Sequence, residues 1–184
     1  LKLKKKNYQV HAIPAIKVHN PDAPNEDHNT GGLIMIASSK TCIEKEFSTK
    51  IDDFAHAMFL RFKKQTICII NLYLLSNRPD IALRTMHAIK QFIRTLDVPH
   101  MIVGDWNRTP QDIHEMNWEI GPDYADHTPQ GVEATCHTGG QRVIDWLKAN
   151  REAHRIIRST SLIYDAPITP HYPVVHELHA RPRQ

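Results

Sequence analysis

No stretch of the sequence approaches the roughly eighteen consecutive apolar residues that a membrane-crossing helix needs, so no span is expected. The basic start, LKLKKK, has no apolar run behind it, which argues against a secretory signal. Cysteine is scarce: Cys42, Cys68 and Cys136 are odd in number and widely spaced, which excludes a disulfide framework and a CxxC zinc pattern. A reducing, intracellular compartment, nucleus or cytoplasm, is the expectation. The helical zinc motif His-Glu-x-x-His is absent, since His176-Glu177-Leu178-His179 is one residue too short. The 13 histidines otherwise scatter, mostly as surface residues. Repeats and low-complexity tracts are lacking. No initiating Met is present, which points to a piece of a longer chain, although processing gives the same result. Nor is there a strong charge of either sign: 23 Lys and Arg against 20 Asp and Glu leave +3, which permits a phosphate-rich partner without demanding one.

What is present is 184 residues, 41% hydrophobic and 23% charged, the composition of one ordinary globular domain or most of one. Lys2 to Lys6 reads as a solvated flank. Tyr8 to Ile13 reads as a strand, residues 14–32 as loop, and Leu33 to Ala37 as a short apolar strand. Ala57 to Phe62 and Thr66 to Leu74 form two strands around Lys63-Lys64-Gln65. Pro79-Asp80 opens a helix with Asp80 as its N-cap, in which Ala82, Met86, Ile89, Ile93 and Leu96 recur at spacings of four and three. A buried strand follows at 100–105. Strand, helix and strand in that order imply an α/β layer arrangement. Val132 to His137 and Arg142 to Lys148 read as a hairpin turned by Thr138-Gly139-Gly140. Arg155 to Tyr164 and Tyr172 to Leu178 complete the strands.

The informative residues are polar groups that interrupt buried strands. In HMIVGDWNRTP, residues 100–110, Met101 and Val103 share one face and Ile102 the other, so both faces look buried. The strand ends in Asp105 and Asn107, which period-two alternation puts on one face, with Trp106 opposite. Two oxygen-bearing side chains there suit a hard cation or an attacking water; an Asx-rich turn that bonds local backbone accounts for them equally. Asp145 sits inside Val143-Ile144-Asp145-Trp146-Leu147. A carboxylate in mid-strand is costly unless it is paired, bound to a cation or on an edge strand in water. His171 precedes the last strand. Together Asp105, Asn107, Asp145 and His171 are the groups that metal-assisted phosphoester hydrolysis uses.

Five motifs follow one another: Gly31-Gly32-Leu33-Ile34-Met35-Ile36, Asn71-Leu72-Tyr73, Gly104-Asp105-Trp106-Asn107, Arg142-Val143-Ile144-Asp145-Trp146 and Thr169-Pro170-His171-Tyr172-Pro173-Val174. This order resembles the endonuclease/exonuclease/phosphatase superfamily, the group of apurinic and retrotransposon endonucleases, DNase I and inositol-phosphate phosphatases. The resemblance covers about residues 31–178. It implies a four-layer α/β sandwich of two facing mixed sheets flanked by helices, with the site at one rim. It also implies Mg²⁺ or Mn²⁺ as cofactor and nucleic acid as partner. Asp105 and Asn107 match the pair that handles attacking water and phosphate. Asp145 matches the acid that orients the catalytic His, which His171 matches. Tyr73 matches a tyrosine near the phosphate or leaving group in the nuclease branches.

The chain departs from the pattern in two places. The last motif in the family is Ser-Asp-His, so Pro170 stands where a metal-binding Asp is expected and has no side-chain oxygen to replace it. Asp165 is a possible substitute. The family's first strands, with an Asn and a metal-binding Glu, have no match here, so one partial domain over 1–184 is expected. The resulting expectation is a Mg²⁺-dependent phosphodiester hydrolase, nuclease before phosphatase, weak or inactive in this form. Two alternatives stand beside it: a non-catalytic remnant, truncated or retroelement-derived, and a phosphatase of small phosphorylated molecules or phosphoinositides.

Overall fold

A computed structural model of the chain describes residues 8–18, 28–38, 42–62, 65–118, 120–138, 140–167 and 169–179. The basic run Lys2 to Lys6, Lys63 and Lys64 of the expected turn and Gly139 of the other lie outside them. Strand β1 (Tyr8–Ile13) falls where the alternation predicts it. The stretch expected as loop also holds two three-residue strands, β2 (Ile16–Val18) and β3 (His28–Thr30), which pair with each other. After the Gly31-Gly32 turn, β4 (Leu33–Ser38) runs antiparallel to β1.

Strand β5 (Cys42–Asp52) was not foreseen. It forms one edge of the main sheet. Next come the hairpin strands β6 (Ala55–Phe62) and β7 (Gln65–Tyr73). Helix α1 (Pro79–Ile93) then buries Ala82, Thr85, Met86, Ile89 and Ile93, the face that the periodicity marks. Its N-cap is Arg78, not Asp80. Pro79 lacks an N–H and suits the first helical position, so the cap precedes it; Asp80 lies in the first turn and accepts from the Arg78 guanidinium at 3.0 and 2.9 Å.

Strand β8 (His100–Asp105) returns parallel to β7. The short helix α2 (Pro110–Glu115) is held by a capping box in which Thr109 and Asp112 exchange side-chain and backbone hydrogen bonds. β9 (Tyr124–His127) precedes β10 (Asp145–Asn150), which lies antiparallel between β8 and β9. The hairpin expected from Val132 reduces to isolated bridges: Cys136 pairs with Arg142 and with His171. Asp145 therefore opens β10 rather than interrupting it, and β10 is interior, not an edge. The one-turn helix α3 (Arg151–His154), capped by Asn150, leads into β11 (Ile157–Leu162) and its antiparallel partner β12 (Val174–Leu178).

The resulting class is mixed α/β, built on a six-stranded mixed sheet in the order β5-β6-β7-β8-β10-β9. One face, with Ile70, Leu72, Ile102, Trp106 and Trp146, packs under Met86 and Ile89 of α1. On the other face Met101, Val103 and Leu147 meet Ile157 and Leu178, while Met58 and Leu60 meet Met35 and Ala37. Among the described residues, the layer opposite the six-stranded sheet thus comprises two separate pairs, β1 with β4 and β11 with β12. Among the described residues no helix is long and apolar enough to cross a membrane.

Candidate functional site

The neighbouring strands β7, β8 and β10 end at one rim in matching register. Tyr73 stands beside Asp105, and Asp105 beside Asp145, so the three share a face. Gly104 lets β8 run this close to β7. Its φ is +140, and a Cβ there would sit 2.0 Å from the Leu72 carbonyl oxygen, a distance no side chain tolerates. On the opposite face Trp106 is fully buried, stacked on Trp146 with ring centroids 4.1 Å apart, and its Nε1 donates to the Trp146 carbonyl at 2.9 Å. This anchor fixes the strand end from below.

Asp105 and Asp145 each expose only 17% of their side chains. His171 Nδ1 donates to Asp145 Oδ2 at 2.9 Å, and His171 Nε2 lies 3.8 Å from Asp105 Oδ2. Burial, and then the charge of Asp145, push the Asp105 carboxyl up to about 6; the Asn107 N–H and His171 partly oppose this. The two oxygens and the imidazole nitrogen lie within 4.8 Å of one another, a donor set able to hold a metal ion.

The segment around Thr135 holds this cluster from behind, which nothing in the sequence signalled. The buried Thr135 Oγ1 accepts from the backbone N–H groups of Ile144 and Asp145, each at 3.0 Å. The Thr135 carbonyl accepts from Tyr172 N at 2.8 Å, and Cys136 Sγ lies 3.5 Å from His171 Nε2. Thus one short stretch ties the start of β10 to the approach of β12, across 26 residues of sequence between the acid and the imidazole.

Asn107 is near the cluster by a different route from the one alternation suggests. It lies past the end of β8 with φ 50, in the left-handed region that Asn tolerates. Its N–H donates to Asp105 Oδ1 at 2.8 Å, and its Nδ2 donates to the Leu74 carbonyl at 2.7 Å. These bonds are those of the expected Asx turn, and they leave Asn107 next to Asp105. Tyr73, half-buried, packs beside the cluster with Phe54 and Leu75. Asp165 is exposed and lies outside the three-residue donor group, and Pro170 is exposed next to His171. A groove of about 500 Å³ opens over Asp105, Asp145 and His171, its apolar walls including Ile69, Met101, Val103 and Val174.

No family model matches the sequence. No curated protein sequence matches it either. Solved structures match over most of its length. The endonuclease domain of TRAS1, a telomere-specific non-LTR retrotransposon, superposes with a TM-score of 0.66 at 13% identity, covering 93% of this chain and 79% of its own. The 3' phosphatase NExo from Neisseria, bound to a product DNA hairpin, gives 0.64 at 13% identity over 96% of this chain and 81% of its own. The human Nocturnin catalytic domain with bound sulfate gives 0.64 at 13% identity over 95% and 73%. At such identities the likeness is one of fold, and it coincides with the resemblance carried by the five motifs: the chain has the DNase I-like fold of the endonuclease/exonuclease/phosphatase superfamily.

Proposed function

We propose that this protein is a divalent-metal-dependent phosphodiester hydrolase acting on nucleic acid. The observation that carries the reading is the Asp105–Asp145–His171 cluster, two half-hidden carboxylates and an oriented imidazole at the rim of a DNase I-like sheet. Oxygen donors of this kind fit Mg²⁺ or Mn²⁺, and Asp105 and Asp145 would hold the ion, which supplies positive charge against the phosphate. Everything else falls to the protein. Asp105, oriented by the Asn107 N–H, accepts a proton from the attacking water. Asp145 fixes the ring of His171 so that Nε2 faces the phosphate and donates to an oxygen that gains charge. Asn107 shapes the Asp105 carboxylate through its backbone N–H, and Tyr73 flanks the leaving group.

Nucleic acid is favoured over small phosphoesters by the mild basic charge of the chain. The structural neighbours named as an endonuclease domain and as a DNA-bound 3' phosphatase support the same choice. Pro170 favours the non-catalytic alternative, because it offers no side-chain oxygen where the motif carries an acid. We therefore expect weak metal binding and slow turnover. The test is nicking of supercoiled plasmid with Mg²⁺, with chelator, and by an Asp105→Ala variant. Mg²⁺-dependent nicking that disappears in the variant is the expected result, and His171→Ala should cost roughly 10²–10⁴-fold in rate. Equal backgrounds in all three samples would sink the enzyme reading.

A further inference from the structure

At the far edge of the main sheet, on the side of β10 away from Asp105, two histidines meet. His127 ends β9 opposite Leu147, and His154 ends α3. His127 Nε2 and His154 Nδ1 stand 2.9 Å apart. Neither ring belongs to the Asp105–Asp145–His171 cluster, and the hydrolysis described above uses neither. Both are carried on fixed backbone. β9 is laddered to β10 over its four residues. α3 is capped by Asn150, whose Oδ1 accepts from Ala153 N at 3.0 Å and from His100 N at 3.1 Å, which ties the helix to β8.

One of two neutral imidazoles at this separation donates and the other accepts, so two ring nitrogens converge on one shared proton. Two nitrogen ligands of one tetrahedral zinc, each about 2.0–2.1 Å from it, stand roughly 3.3 Å apart. An ion in place of the proton therefore parts the rings by only about 0.4 Å. No net loss of a proton is needed, because the donor ring moves its proton to its other nitrogen. The surroundings suit such an ion. Burial, and then the charge of His154, push the His127 imidazole down from its ordinary value, which keeps it in the neutral form that ligates. Asp126, the acid next to His127 in sequence, accepts from Lys148 Nζ at 2.6 Å, so nitrogen rather than oxygen sets the chemistry here.

We propose that His127 and His154 form a second metal site, for a borderline transition-metal ion of the Zn²⁺ class, with water in the remaining positions. Imidazole prefers Zn²⁺, Ni²⁺ or Cu²⁺ to the hard Mg²⁺, whereas the oxygen-rich Asp105 cluster suits Mg²⁺. Two donor sets of different softness thus sit on opposite sides of β10. The ion joins the short edge strand β9 to the helix that leads into the β11–β12 cover, which makes its role structural. The site does not depend on the phosphodiesterase reading.

The test is calorimetric titration of the full chain, dialysed free of chelator, with Zn²⁺ in excess Mg²⁺, and thermal melts of the same samples. Zn²⁺ should bind at micromolar concentrations and raise the thermal midpoint. His127→Gln and His154→Gln should each weaken binding at least about tenfold and abolish the rise. Asp105→Ala removes a donor from the acidic cluster, and His87→Gln removes an exposed imidazole on α1; both should bind Zn²⁺ as the wild type does. Binding that survives unchanged in either His127→Gln or His154→Gln overturns the site. Binding lost in Asp105→Ala overturns it too, because the ion would then lie in the acidic cluster. So does a wild type that takes up no Zn²⁺. If His127→Gln does not fold, the exposed His154 decides alone.

Discussion

On the face that meets α1, the six-stranded sheet is sealed by one continuous cluster, in which Ile70, Met86, Ile89, Ile102 and Trp106 are wholly hidden from solvent. On the other face the covering is in two pieces, β1 with β4 over Met58 and Leu60, and β11 with β12 over Met101 and Leu147. Ile69 touches both pieces, and the groove with Asp105, Asp145 and His171 lies beside it. The outer pair β1–β4 even leaves Ile34 and Ile36 exposed. The sealed face fixes the backbone to which the acids are attached, and the open face admits a substrate to them. Rigidity and access are thus supplied by opposite sides of one sheet.

The largest break in this division should come from the smallest side chain. Gly104→Ala places a methyl 2.0 Å from the Leu72 carbonyl oxygen at a positive φ, between two interior strands that cannot separate without losing the ladder. We expect a loss of about 4 kcal/mol or more, seen as failure to reach a cooperative urea transition. Ile36→Ser, on the open side, should change the same midpoint by no more than about 0.5 kcal/mol. Comparable effects at the two positions would contradict the contrast between the faces.

The sealed side was also the more legible in sequence. Helix α1 shows its buried face through Ala82, Met86, Ile89 and Ile93, because a solvated helix needs a 3.6-residue stripe, and β8 shows burial on both faces through three apolar residues in a row. The edge strand β5 did not show, since its charges mask any alternation. α2 and α3 are too short for periodicity, and a Thr109–Asp112 box uses Asp where the usual signal is Glu or Gln. Val132 to His137 alternates like a strand, yet the Thr135 and Cys136 backbones serve as ties to Arg142, His171 and Tyr172 instead. The meeting of Asp145 with His171 could be expected only from resemblance to a family, because no local rule links residues 26 positions apart.

A smaller effect separates site from scaffold. Burial and Asp145 raise the Asp105 carboxyl to about 6, so the folded protein binds this proton more tightly than the unfolded chain, whose value is near 3.8. Stability from this group is therefore full below about 3.8 and is lost as pH rises through about 6. Asp105→Asn removes the cost of the buried charge. In chelator at pH 8 it should stabilise the protein by at most about 3 kcal/mol, with the gain gone by about pH 4. Added Mg²⁺ should raise the thermal midpoint of the wild type and not of the variant. An Asn variant less stable than wild type at pH 8 would mean that the carboxylate is satisfied within the protein alone.

His176, on β12 across the same groove, titrates with the opposite sign. Burial, and then the charge of His127, push its imidazole down to about 4 from an ordinary value near 6.5, while Thr160 Oγ1 lies 2.9 Å from its Nδ1. Its folded value is depressed, so its contribution is full above about 6.5 and is lost as pH falls through about 4. His176→Gln should flatten that acid limb by roughly 1–3 kcal/mol, measured by thermal melts between pH 7 and pH 4. Between about pH 4 and pH 6 the two groups oppose each other, Asp105 gaining stability on acidification and His176 losing it, so the wild-type curve conceals both. The single variants separate them relative to wild type: Asp105→Asn should lose more stability on acidification over this range, and His176→Gln less. Parallel curves for the two variants would show that the sheet and the strand pair covering it do not carry separate titrations.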